Sequence, residues 1–184
     1  MENILGNIKK SSLITLFVLV GFIATFIISV FANLIFGSIS PVLMNYNPLL
    51  NGFIHADPGH LLYNLFMLFV FMLFPINQGY GYKDFYIVTL IISLIAFPIS
   101  VLAGLPAVGI SGTLYFMMSR SCVNSKSIFL YIFLGGSILY EFVNVFETSD
   151  GIAHYVHVIG AVLGYLSLKE KFGYLKPTET KNQA

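Results

Sequence analysis

The chain alternates long apolar runs with short polar or glycine- and proline-rich breaks. Apolar runs cover about residues 12–36, 59–74, 83–102, 127–146 and 152–168, and a shorter one follows Ser111. A helix that crosses a membrane needs about 20 apolar residues. The first run, Leu13 to Phe36, exceeds the apolar core of about 7–15 residues found in a signal peptide, so it reads as a retained span. The breaks carry turn chemistry: Pro75, Asn77, Gly79 and Gly81 after the second run, then Gly104, Pro106 and Gly109 before Ser111, then Glu147 to Gly151.

Two segments depart from this regular pattern. The linker 37–58 holds Gly37, Pro41, Pro48, Gly52 and Pro58 and is long for a structureless connection. Its apolar residues, Val42, Leu43, Met44, Leu49, Leu50, Phe53 and Ile54, suggest a loop lying in the membrane interface. The run that opens at Ser111 is short, because Arg120, Asn124 and Lys126 close it. At about 1.5 Å per residue it cannot cross about 30 Å of hydrocarbon. It therefore reads as a helix that starts inside the membrane at the end of a dipping loop. Irregular backbone at that depth needs protein or water around it, which predicts a buried, partly wet cavity at Ser111.

Composition sharpens the class. Of 184 residues, 57% are hydrophobic and 9% charged, against about 25% charged in a soluble domain. Lipid is therefore the main solvent. The net charge of +1 leaves no basic stripe for nucleic acid. The single cysteine, Cys122, excludes an intramolecular disulfide and a cysteine-based zinc site.

Charge also orients the chain. With the N-terminus in the cytoplasm and six spans, Lys9, Lys10, Lys83, Arg120, Lys126, Lys169, Lys171, Lys176 and Lys181 all fall inside. The outer loops hold only Asp57, Glu147 and Asp150, the bias that short loops of membrane proteins show. Five or seven spans would break the sorting. The same topology puts Ser111, the His55 end of the second span and the His157 end of the sixth in the outer half of the membrane.

Those polar residues carry the candidate chemistry. A serine hydroxyl needs a general base within hydrogen-bond reach. Gly109 and Gly112 flank Ser111 and permit a sharp bend and close backbone approach. A helix opening at Ser111 would aim unpaired N–H groups at an oxyanion. Small-residue packing between helices is the alternative use of Gly109-Ile-Ser-Gly112. His157 lies in an apolar helix, where an imidazole faces a cavity or a partner. Gly160 and Gly164 follow on roughly the same face and let a neighbouring helix come close. His154 is a competing base one turn earlier.

His60 and Asn64 are four apart, so they share a helix face and can aim two donors at one point, as an oxyanion requires. His55, in the loop before them, is placed to support that pair. Neither a metal nor a cofactor is expected at these histidines. Glu141 is the one acidic residue clearly inside a span. It could orient a histidine, gate the cavity, or sit near the outer interface.

Taken together, Gly109-Ile-Ser111-Gly112 with Tyr115, His60 with Asn64 and the upstream His55, and His157 with Gly160 and Gly164 resemble the rhomboid family of intramembrane serine proteases. The resemblance covers about residues 12–168 and follows the family's order on second, fourth and sixth helices. It implies an all-α polytopic membrane protein, a rhomboid-like bundle of six transmembrane helices with a short central fourth helix. Residues 1–11 form a cytoplasmic N-terminal segment and 169–184 a cytoplasmic polar tail. It implies a Ser111–His157 dyad without an acidic member, an oxyanion hole from His60, Asn64 and the Ser111 N–H, and Tyr115 packed against His157. The expected activity is cleavage of transmembrane segments of other membrane proteins near their outer end, with the linker and fifth span controlling access, in a multi-pass protein of the cell (inner) membrane. Many relatives carry a Trp-Arg pair in the first loop; this chain has no Trp, and no Lys or Arg there. The rival readings are an inactive rhomboid-like scaffold for client helices and a small proton-coupled transporter. Oligomeric state is not encoded in any of these motifs.

Overall fold

The computed structural model describes residues 2–36, 46–55, 58–77, 80–124, 128–145 and 152–174. Six α-helices occur among them: α1 (Glu2–Phe36), α2 (Pro58–Met72), α3 (Tyr82–Ala103), α4 (Ser111–Val123), α5 (Ile128–Val143) and α6 (His154–Tyr174). Short 3-10 turns lie at Asn51–Phe53 and Pro75–Asn77, and no strand is found among the described residues. Linker residues 37–45, Asp57, Lys126, Glu147, Asp150, Lys176 and Lys181 fall outside the described residues, as do the side chains of Lys169 and Lys171. Helix α1 begins at Glu2, so the segment before residue 12 is already helical.

Helix α4 is the centre of the bundle. It packs against α2, α3, α5 and α6, while α1 lies outside, against α2 and α3. Ten of its thirteen residues are buried, so it has almost no face left for any other solvent. Its length of about 20 Å is well short of a bilayer's hydrocarbon core. The pairing of α4 with α6 is the most extensive in the structure. It depends on glycine: a methyl group at Gly160 would overlap the Gly112 carbonyl oxygen, and one at Gly164 would overlap that of Phe116. The two backbones touch, as small-residue helix pairs in lipid do.

Outside this centre the surface is apolar. Leu62, Phe66, Leu102, Phe129, Ile132 and Phe142 are among many large hydrophobic side chains left exposed. A contiguous apolar exterior of this kind is unusual for a protein in water. Among the described residues, one helix, Lys83–Ala103, is by itself long and apolar enough to cross a membrane; Pro58–Met72, Tyr131–Val143 and His154–Leu168 are shorter apolar helices.

One position differs from its expected setting. Arg120 does not close the fourth helix as a loop charge; α4 runs on to Val123, and Arg120 is 1% exposed. Its guanidinium donates to Asn77 Oδ1, to Ser167 Oγ and to the Ile76 carbonyl, and it lies over the rings of Tyr80 and Phe116. The charge is tolerated because each face of the guanidinium finds an acceptor or an aromatic ring. It ties the far end of α4 to the α2–α3 turn and to α6.

Candidate active site

Ser111 is the first residue of α4, delivered by an irregular segment, 105–110, that the rest of the fold holds in place. Gly104 ends α3 in the left-handed region. The Tyr155 hydroxyl of α6 donates to the Leu105 carbonyl at 2.7 Å. Gly109 takes φ +89°, a conformation that favours glycine, and its N–H donates to the Asn51 carbonyl at 2.8 Å. Asn51 in turn accepts the Ser93 hydroxyl of α3 at 2.8 Å. The described part of the first loop thus braces the turn before Ser111. Phe53 packs that loop inward, edge-on to Phe17 and stacked on Tyr86, so aromatic contacts occupy a loop that lacks the Trp-Arg pair.

Ser111 Oγ lies 2.8 Å from His157 Nε2. The close approach of α4 and α6 at Gly112 and Gly160 sets that distance, because the serine and the imidazole each stand next to the touching backbones. Tyr115, one turn along α4, stacks on the imidazole with ring centroids 4.4 Å apart and planes 10° apart. The other imidazole nitrogen, Nδ1, lies 2.8 Å from Glu141 Oε2 on α5. Glu141 also accepts the Tyr115 hydroxyl on Oε1 at 2.6 Å, and His154 Nδ1 lies 2.6 Å from the same Oε2.

His60 and Asn64, on α2, and His55, in the loop before it, close the opposite side. All three border Gly109: a methyl there would lie 3.3 Å from His60 Cε1, 3.4 Å from Asn64 Nδ2 and 3.4 Å from His55 Cδ2. The His55 and His60 rings meet edge to face at 5.2 Å. Asn64 is 1% exposed, and among the described residues its side-chain nitrogen has no hydrogen-bond partner. A buried donor left this way calls for an explanation. The first hydrogen bond that α4 makes at this end runs from Leu114 N–H to Ile110 O, so the N–H of Ser111 lies ahead of the helix ladder. A cavity of about 530 Å³ joins these groups, with His60, Asn64, Ser111, Tyr115, Glu141 and His157 in its wall.

The structure therefore brings Ser111, His157, Tyr115, His60 and Asn64 around one cavity, with His55 behind them against His60 and Gly109, Gly109 shaping the turn, and Gly112, Gly160 and Gly164 setting the helix approach. It does not bring His154 to Ser111; His154 faces Glu141 instead. Sequence reasoning left Glu141 open among three uses, and the structure places its carboxylate against both imidazoles. The signal was present: a single carboxylate in an apolar helix must find donors, and His154 and His157, three apart, offer two on one face.

Glu141, His154 and His157 also present three potential ligand atoms within 4.8 Å of one another, the donor set of a zinc site. As they stand, both imidazoles are paired to one carboxylate oxygen at hydrogen-bond length.

Against known proteins, a family model described as Rhomboid domain matches residues 42–169. No curated protein and no solved structure matches the chain.

Proposed function

Because this chain belongs to the rhomboid family, and is thereby an integral membrane protein, we propose that it is an intramembrane serine endopeptidase acting on transmembrane segments of other membrane proteins. The observation that carries the proposal is the 2.8 Å contact between Ser111 Oγ and His157 Nε2 at the wall of the cavity. In this reading all six helices belong to the membrane domain, with both termini cytoplasmic, as the sorting of Lys and Arg favours. The cavity then lies in the outer half of the bilayer, where water can reach it.

The proposed chemistry follows from the groups present. Ser111 gives its proton to His157 Nε2 as Oγ attacks a peptide carbonyl. The carbonyl oxygen takes up the electron pair and becomes an oxyanion. The Ser111 N–H, the Asn64 amide and His60 receive it, which gives the buried Asn64 donor its acceptor. Collapse of the intermediate expels the amine, which takes the proton from His157. Water, deprotonated by the same nitrogen, then releases the acyl group and restores Ser111. A substrate helix must unwind locally first, because its carbonyls are otherwise bonded to its own backbone.

The scaffold and transporter alternatives give the Ser111–His157 contact no task. The test is cleavage of single-span proteins by the purified protein in liposomes. Two fragments cut near one membrane face, absent with Ser111→Ala, support the proposal. Intact substrates, or equal cleavage by Ser111→Ala, overturn it.

A further inference from the structure

A serine–histidine pair works only while the histidine keeps one tautomer. Nε2 must be unprotonated to accept the serine proton, so Nδ1 must carry the hydrogen. In an apolar bundle, something has to hold that hydrogen in place. The resemblance to the rhomboid family implies a dyad with no acidic member. This chain has a carboxylate at that point.

Glu141 Oε2 stands 2.8 Å from His157 Nδ1, on the side of the ring opposite Ser111. The carboxylate is itself fixed. Tyr115 donates to Oε1, His154 Nδ1 faces Oε2, and Glu141 is 6% exposed. Tyr115 adds a second constraint, because its ring stacks on the imidazole that its hydroxyl helps to orient through Glu141. Three donors on one buried carboxylate make it a committed acceptor. Its position on α5 also sets it apart from Ser111 and His157, whose helices are in backbone contact. A shift of α5 would loosen this member alone.

Resting on the protease reading above, we propose that Glu141 is a positioning residue, so that Ser111, His157 and Glu141 work as a triad whose acid is anchored by Tyr115 and His154. Glu141 holds His157 in the Nδ1–H tautomer and stabilises the imidazolium formed when Nε2 takes the Ser111 proton. No proton passes to Glu141. It also orients the ring that Tyr115 stacks upon, so its contribution falls on the chemical step and leaves substrate binding alone.

The test compares wild type, Ser111→Ala and Glu141→Gln on a fluorogenic single-span peptide in detergent, with thermal unfolding measured on each. The expected result is a kcat for Glu141→Gln lowered by about 10²- to 10⁴-fold with KM unchanged, read on the fraction that stays folded. A kcat within about threefold of wild type overturns the triad, as does a loss that appears in KM alone. Cleavage that Ser111→Ala retains, or that wild type lacks, overturns the protease reading and the triad with it. Should Glu141→Gln not fold, the wild-type protein decides. Nitrogen-15 shifts of labelled histidine, with His157 assigned by its loss in His157→Gln, should show hydrogen on Nδ1 and none on Nε2. The Nε2–H tautomer overturns the proposal.

Discussion

Gly160 of α6 rests on the carbonyl of Gly112 of α4 so closely that even one methyl group at 160 would overlap the oxygen. This contact lies beside Ser111 and one turn from His157, and it sets how far apart their side chains stand. Gly160→Ala should push α6 away and lengthen the 2.8 Å bond. A misplacement of about 1 Å costs on the order of 10²-fold in rate. Cleavage by Gly160→Ala in liposomes should fall by about that factor, with a lowered unfolding midpoint. Undiminished cleavage would show that the helix contact does not set the site.

Asn64 tests the other half of the site. Its amide nitrogen is buried and lacks a partner among the described residues. Asn64→Ala should lower kcat by about 10²- to 10³-fold, the loss seen when one oxyanion donor is removed. Thermal stability should hold or rise, because a buried unpaired donor has been deleted. A large drop in stability with unchanged kcat would make Asn64 a structural residue.

Arg120 should behave in the opposite way. Arg120→Met leaves Asn77 Oδ1, the Ile76 carbonyl and Ser167 without their donor. Removing one partner of a buried charged network costs about 3–5 kcal/mol. The substitution should lower the unfolding midpoint in detergent sharply. The reaction rate of the fraction that stays folded should stay near wild type, since Arg120 lies outside the cavity wall. Wild-type stability would contradict the structural role.

Chelation distinguishes the hydrogen-bonded cluster from a metal centre. Glu141, His154 and His157 have a zinc-like donor set, yet their contacts of 2.6 and 2.8 Å are those of hydrogen bonds. Prolonged treatment with a strong chelator should leave cleavage unchanged. Loss of activity that zinc restores would assign the cluster to a metal.

Much of the helical fold is legible in the chain because glycine and proline interrupt apolar runs at the right intervals. The run from about Gly59 becomes Pro58–Met72, and that from Lys83 becomes Tyr82–Ala103. The short fourth helix is legible because Ser111 and the polar residues after Met118 bracket it. The four-residue spacing of His60 and Asn64 fixes their common face, as helix geometry demands. The pairing of Glu141 with two histidines is legible only in part: a lone carboxylate in an apolar helix needs donors, but which donors it meets depends on how α5 sits beside α6, and no local spacing encodes that. Arg120 misleads for a related reason. A cation near a helix end reads as a loop charge, and only the convergence of Asn77 and Tyr80 from the α2–α3 turn and Ser167 from α6, beside Phe116 on α4 itself, makes its burial possible.

The central claim is that Ser111 is a nucleophile activated by His157. Reaction of the detergent-solubilised protein with a fluorophosphonate, followed by peptide mass spectrometry, tests it most directly. The account predicts one adduct, on Ser111, absent in Ser111→Ala and strongly slowed in His157→Ala. No adduct on the wild type, or an adduct that forms at full rate without His157, would contradict it.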